Sequence, residues 1–157
     1  MRVIDIDQLS LIVEKLPKNP RIIASGNFGT PFAFLAALDK QIDEYKLNML
    51  NAQPGIPDRE GITFETAFVG AGMRNSPRLE YFPGRLSLVP RMMRTHTRPD
   101  LVVLHCSTPR AGLVSLGNEV NVLPAAIESA RKHNALVVAV VNPHMPYTFG
   151  DSEIPLE

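Results

Sequence analysis

The chain has one cysteine, Cys106, in 157 residues. It cannot form an internal disulfide, so a reducing cytoplasm is the expected compartment. An excess of either charge is also missing, with Lys plus Arg at 16 and Asp plus Glu at 16. That balance removes the basic footprint of a nucleic-acid binder and gives no attraction to an anionic membrane surface. No apolar run approaches the roughly 20 residues of a spanning helix. The opening stretch MRVIDIDQLSLIVEKL sets acids among its apolar residues, which excludes a secretory signal. His96, His105, His133 and His144 include no i, i+4 pair and have no cysteine partner in zinc spacing, so no metal site is expected. Repeats and low-complexity tracts are absent. The 14 prolines are scattered, which marks turns rather than a disordered linker.

What is present is the composition of one globular domain, 45% hydrophobic and 20% charged, with length enough for a real core. Ile6, Leu9, Ile12, Val13 and Leu16 recur near helical spacing, with Asp5 or Asp7 as cap. RIIAS at 21–25 reads as a buried strand ending in GNFGTP. A helix follows over PFAFLAALDKQIDEYK, with Thr30 as cap, Pro31 in its first turn and Leu35, Leu38, Ile42 and Tyr45 on its apolar face. Further strands are expected at 47–52, 62–70, around 79–82, at 101–106 and at 135–141. Short helices are expected over RLSLVPRMMRT, despite Pro90, and over 123–133.

Strands apolar on both faces and alternating with helices predict an α/β fold, a mostly parallel sheet with helices on both faces. Ligands of such sheets sit beyond the carboxyl ends of the strands. Three of those ends carry unusual loops here: GNFGTP, CSTPRAGLVSLG and NPHMPYTFG. The tail DSEIPLE completes no further strand–helix unit, so a remainder of the polypeptide is expected.

Each candidate motif has a plain structural reading beside a functional one. SGNFGTP stands where a phosphate-binding turn would, but lacks the Lys-Ser/Thr of a P-loop and the spacing of a dinucleotide turn. It reads as a tight strand-to-helix connection, with ligand contact left open. VGAGMRNS has Gly70 and Gly72, but Pro77 and Pro83 deny it a following helix, so it reads as a loop passing close to another backbone. Ser107, Thr108 and Ser115 lack the G-x-S-x-G elbow of a serine nucleophile. His105 and Cys106 are adjacent on a strand and point to opposite faces, so Cys106 reads as a small buried hydrophobe. Glu119 reads as a catalytic carboxylate or as an acid serving a helix's first turn. Arg78, Arg85, Arg91 and Arg94 read as a patch for an acidic ligand or as a solvated face.

GNFGTPFAFLAAL, LEYFPGRLSLVPRM, DLVVLHCSTPRAGLVSLGNEV and VVNPHMPYTFGDS, in that order, resemble the amino-terminal half of the acetyl-CoA hydrolase/transferase family, which includes acetate and 4-hydroxybutyrate CoA-transferases. The resemblance runs from Arg21 onward and implies a CoA-transferase-like domain spanning 1–157, with a carboxyl-terminal half elsewhere. It implies ping-pong CoA transfer through a glutamate of that other half, with acyl-CoA and a small carboxylate as substrates and no permanently bound cofactor. No catalytic residue is therefore expected here. The implied pocket wall is Gly26, Asn27, Thr30 and Pro31; Ser107, Thr108, Pro109, Gly112, Ser115 and Gly117; and Asn142, Pro143, Pro146 and Gly150. Arg110 stands where the family commonly has an acid. A domain lacking its other half should self-associate as a homo-oligomer. Two other readings are a sugar-phosphate isomerase or binding domain using Arg85 or Arg91, and a non-catalytic interaction domain.

Overall fold

The computed structural model describes residues 2–156. Its centre is a six-stranded sheet of β1 (Arg21–Ala24), β2 (Tyr45–Asn48), β3 (Ile62–Thr66), β4 (Leu79–Tyr81), β5 (Leu101–Cys106) and β7 (Leu136–Val141). The spatial order is β4-β3-β2-β1-β5-β7, and every pairing is parallel. A parallel ladder needs crossover helices, and those helices bury both faces. That is why β5 reads LVVLHC without polar alternation. Its Leu101 and Val103 join one core, and its Val102 and Leu104 join the other.

The first core packs α1 (Ser10–Val13) and α2 (Phe32–Asp39) on the sheet through Ile12, Phe34, Leu35 and Leu38, with Leu9 beside them. The second packs α3 (Val89–Thr95) and α4 (Leu123–Lys132) on the opposite face through Val89, Met93, Leu123, Ala126, Ile127 and Ala130. The chain runs outward from β1 through β2 and β3 to β4, then returns to β5 on the other side of β1. The strand order reverses between β1 and β5, and sheets of this kind take ligands beyond the carboxyl ends of the strands at such a reversal.

Several expected elements differ. The first helix is a 3-10 turn at Ile6–Gln8 followed by the single turn of α1. α2 begins at Phe32, with Pro31 in the cap position, and Thr30 Oγ1 donates to Asn27 O (2.8 Å) instead of capping the helix. α2 also stops at Asp39, so Tyr45 is not on its face. Tyr45 opens β2, buried, and donates its hydroxyl back to Asp39 Oδ1 (2.9 Å). β2 and β3 end earlier than expected, and beyond their ends the two chains stay joined by the Asn51 N–H donating to Phe68 O (2.8 Å). Pro90 sits in the first turn of α3, where its missing N–H breaks no helical bond. Two further strands, β6 (Leu113–Ser115) and β8 (Glu153–Pro155), form an antiparallel ribbon inside segments expected to be loop and tail.

Candidate functional site

The carboxyl ends of β1, β2 and β3 and the start of α3 enclose a cleft of about 430 Å³. Leu50, Phe68, Leu86, Pro90 and Val122 give it apolar walls; Asn27, Asn51, Asn121 and Ser87 are its polar groups. No ionisable side chain lines it.

Glu119 lies behind this wall, only 2% exposed, on the loop that leaves β6. Its Oε2 accepts the Gly26 N–H (3.0 Å) and its Oε1 accepts from Asn27 Nδ2 (3.0 Å). Asn27 Oδ1 in turn accepts from Asn51 Nδ2 (2.8 Å), which carries the network to the cleft. The backbone explains the residue types. Asn27 and Asn51 sit at φ 42° and 49°, and asparagine tolerates this left-handed region better than other side-chain-bearing residues. Gly29 must lack a side chain, because a Cβ there would lie 2.4 Å from Glu119 Cγ. His105 Nδ1 lies 2.9 Å from Gly29 O, tying the same loop to β5.

Burial pushes the Glu119 carboxyl above the ordinary carboxylate range, while Asn27 and the Gly26 N–H pull it the other way. A carboxyl raised in the folded state holds its proton more tightly than in the unfolded chain. Its stabilising contribution is full at acid pH and is lost as pH rises through the folded value. Urea midpoints should therefore fall more steeply with rising pH, from the ordinary glutamate range upward, in the native chain than in Glu119→Gln. Equal slopes in the two proteins would contradict a strained, buried carboxyl.

The second and third loops hold each other rather than the cleft. Ser115 is fully buried. Its Oγ donates to Thr148 O (2.8 Å) and accepts from the N–H groups of Gly117 (3.1 Å) and Thr148 (2.9 Å). Ser107 Oγ accepts the Ser115 N–H (3.0 Å) and donates to Thr108 O (3.0 Å). Gly117, at φ 61°, passes so close to Met145 that a Cβ would lie 2.5 Å from its sulfur. Arg110 sits 4.6 Å over the Tyr147 ring, a cation–π contact joining the two loops. Thr108, Pro109, Gly112, Pro143, Pro146 and Gly150 are exposed on this side, while Asn142 Oδ1 accepts the His144 N–H (2.9 Å). Of the residues expected to form a wall, Asn27 lines the cleft; Gly26, Thr30 and Pro31 are buried and outside its lining.

The remaining candidates resolve simply. Gly70 and Gly72 are close-approach residues: a Cβ on either would lie 2.3 Å from a carbonyl oxygen of Ala52 or Gln53. Cys106 is buried, and burial pushes its thiol up to about 11, which removes a thiolate nucleophile at neutral pH. Glu65 is held by Arg21 (2.7 Å) and Lys46 (3.8 Å). Arg85 and Arg91 are both exposed and outside the cleft lining. Among the described residues no cluster of three His, Cys, Asp or Glu is placed to hold a metal, and no helix is long and apolar enough to cross a membrane. Sequence reasoning missed Asn51 and Asn121; for Asn51 an asparagine soon after a strand end was the available signal, whereas Asn121 lies just before α4 and carried none.

Residues 9–157 match the family model of the acetyl-CoA hydrolase/transferase N-terminal domain, and the chain belongs to that family. It is 31% identical over 155 aligned residues to the 4-hydroxybutyrate coenzyme A transferase of Clostridium kluyveri, covering 90% of this chain and 35% of that protein. Its fold is that of RipA from Yersinia pestis, with a TM-score of 0.73 at 21% identity over 97% of this chain and 42% of RipA. It is also that of a 4-hydroxybutyrate CoA-transferase from Porphyromonas gingivalis, with a TM-score of 0.62 at 22% identity over 98% of this chain and 36% of that one. The chain thus spans less than half the length of each of these relatives.

Proposed function

We propose that this chain is the amino-terminal part of an acyl-CoA:carboxylate CoA-transferase or acetyl-CoA hydrolase. It supplies one wall of the substrate pocket, and the nucleophilic glutamate comes from a carboxyl-terminal part. The observation that carries this reading is the state of the cleft beyond β1, β2 and β3. It has apolar walls and fixed hydrogen-bonding groups, but its lining holds no carboxylate, thiol or imidazole. The carboxylate nearest to it in the network, Glu119, is buried with both oxygens occupied. Such a site recognises a substrate and leaves covalent attack to another group.

In the same reading acyl-CoA and a small carboxylate are the substrates, the compartment is cytoplasmic, and the chain self-associates. Phe28 (86% exposed) and Phe149 (75%) stand at the strand-end loops, as expected of a surface that meets more polypeptide. The test is turnover of acetyl-CoA with a short carboxylate acceptor. The purified chain alone should be inert, and adding the carboxyl-terminal part of a family member should give transfer. Strong turnover by the chain alone would contradict the reading.

A further inference from the structure

The two edges of the six-stranded sheet differ. β4 closes one edge with three residues, LEY, and carries the exposed Glu80. A short strand with an exposed charge is a protected edge. β7 closes the other edge with six apolar residues, LVVAVV, and has neither charge nor proline. Among the described residues, β5 is its only strand neighbour. The Leu136 N–H donates to Asp100 O (3.1 Å) and the Asn142 N–H to Cys106 O (2.8 Å). Period-two alternation therefore turns the N–H and C=O groups of Val137, Ala139 and Val141 away from β5, to the open edge. Side-chain cover thins here as well. β5 is buried at five of its six positions and β7 at none. Leu136, Val138 and Val140 pack partly buried on the first core, while Val137 (39% exposed) and Val141 (47%) alternate to the other face.

We propose that a second copy of this chain covers the edge, with β7 pairing antiparallel to the partner's β7 across a two-fold axis. The outward-turned set maps onto itself when reversed about Ala139, so Val137 meets the partner's Val141 and Ala139 meets the partner's Ala139. Each such pair exchanges two backbone bonds, about six in all. Ala139, the smallest side chain of the strand, falls on the axis, where identical side chains stand directly opposite. The two exposed valines become cross-strand pairs, which β-branched side chains favour. Charge selects the same occupant. Two copies of β7 bring no charge together, whereas β4 or β8 of a second copy would set Glu80 or Glu153 beside an apolar strand. One pair of strands buries less than the roughly 1,000 Å² of a standing interface, so the dimer is weak, with Kd on the order of 100 µM. This names the surface for the self-association in the proposed function and rests on that part of the reading alone.

The experiment is sedimentation velocity and amide hydrogen exchange on the isolated chain, at concentrations well below and well above that Kd. The chain should pass from monomer to dimer. The amides of Val137, Ala139 and Val141 should exchange fast when dilute and slowly when concentrated, with those of Leu136, Val138 and Val140 slow throughout. Ala139→Pro removes an N–H that makes no bond to β5, a place where edge strands accept proline, and should weaken dimerisation at least about tenfold. Val137→Lys supplies the edge charge that β7 lacks and should do the same, which keeps the test if the proline variant misfolds. Phe28→Ser, at the strand-end loops, should leave the dimer unchanged.

The proposal is overturned by any of four results: a monomer at every concentration, a dimer that neither β7 variant weakens, exchange at the three outward amides that ignores concentration, or a carboxyl-terminal part that slows those amides while dissolving the dimer. Turnover in the two-part mixture by a chain that stays monomeric would sink this inference alone. A β7 dimer without turnover in that mixture would sink the functional reading instead.

Discussion

Gly26→Ala should lower the stability of the chain by about 4 kcal/mol, from overpacking together with lost hydrogen bonds. The backbone conformation is not the cause. Gly26 has φ −105° and ψ −151°, which alanine also adopts. The cause is contact: a Cβ would lie 2.0 Å from Leu50 O, a backbone atom that cannot rotate away. Relief requires the loop after β1 to move off the end of β2. That movement stretches the Asn27 N–H bond to Leu50 O (3.3 Å) and the Gly26 N–H bond to Glu119 (3.0 Å). The cleft then loses its hydrogen-bond network as well as its wall. Gly84→Ala is the control, since nothing lies within 4 Å of a Cβ there. It should change the urea midpoint by no more than an ordinary surface substitution does, within about 0.5 kcal/mol. A loss below about 1 kcal/mol for Gly26→Ala would mean that the two loops are not in register as described.

Ser115→Ala should cost about 3 kcal/mol, because one buried hydroxyl bonds three backbone groups at once, and the buried Gly117 N–H left without its acceptor carries a desolvation penalty as well. The Gly117 and Thr148 N–H groups lose their acceptor and Thr148 O loses a donor. The β6–β8 ribbon and the third loop should loosen together. Proteolysis at Arg110, which lies in the exposed turn preceding β6, should then speed up in proportion to the stability lost. Ser107→Ala removes one accepted bond, from Ser115 N–H, and should cost about 1 kcal/mol. Equal effects from the two serines would contradict the central place given to Ser115.

These two positions show where sequence reasoning succeeds and where it stops. RIIA, LVVLHC and LVVAVV are strands apolar on both faces, a pattern only a covered parallel sheet needs, so the fold class and the three strand-end loops were readable. The reach of α2 was not, because Ile42 and Tyr45 continue its apolar spacing while the chain has already turned at residues 40–44. β6 and β8 have three residues each and pair across some forty residues, so neither carries a local pattern. Glu119 was visible as an acid among apolar residues, but α4 begins only at Leu123, so it serves no first turn. Its partners lie more than ninety residues earlier, and that proximity is set by β1 lying beside β5. The contact of Arg110 with Tyr147 was equally invisible before folding.

The proposed function places the covalent intermediate outside this chain. The measurement is mass spectrometry of both polypeptides from the two-part mixture after incubation with acetyl-CoA. A CoA adduct on a glutamate of the carboxyl-terminal part, with none on any peptide of this chain, is the predicted result. A CoA adduct on Glu119, or on any other carboxylate of this chain, would contradict it.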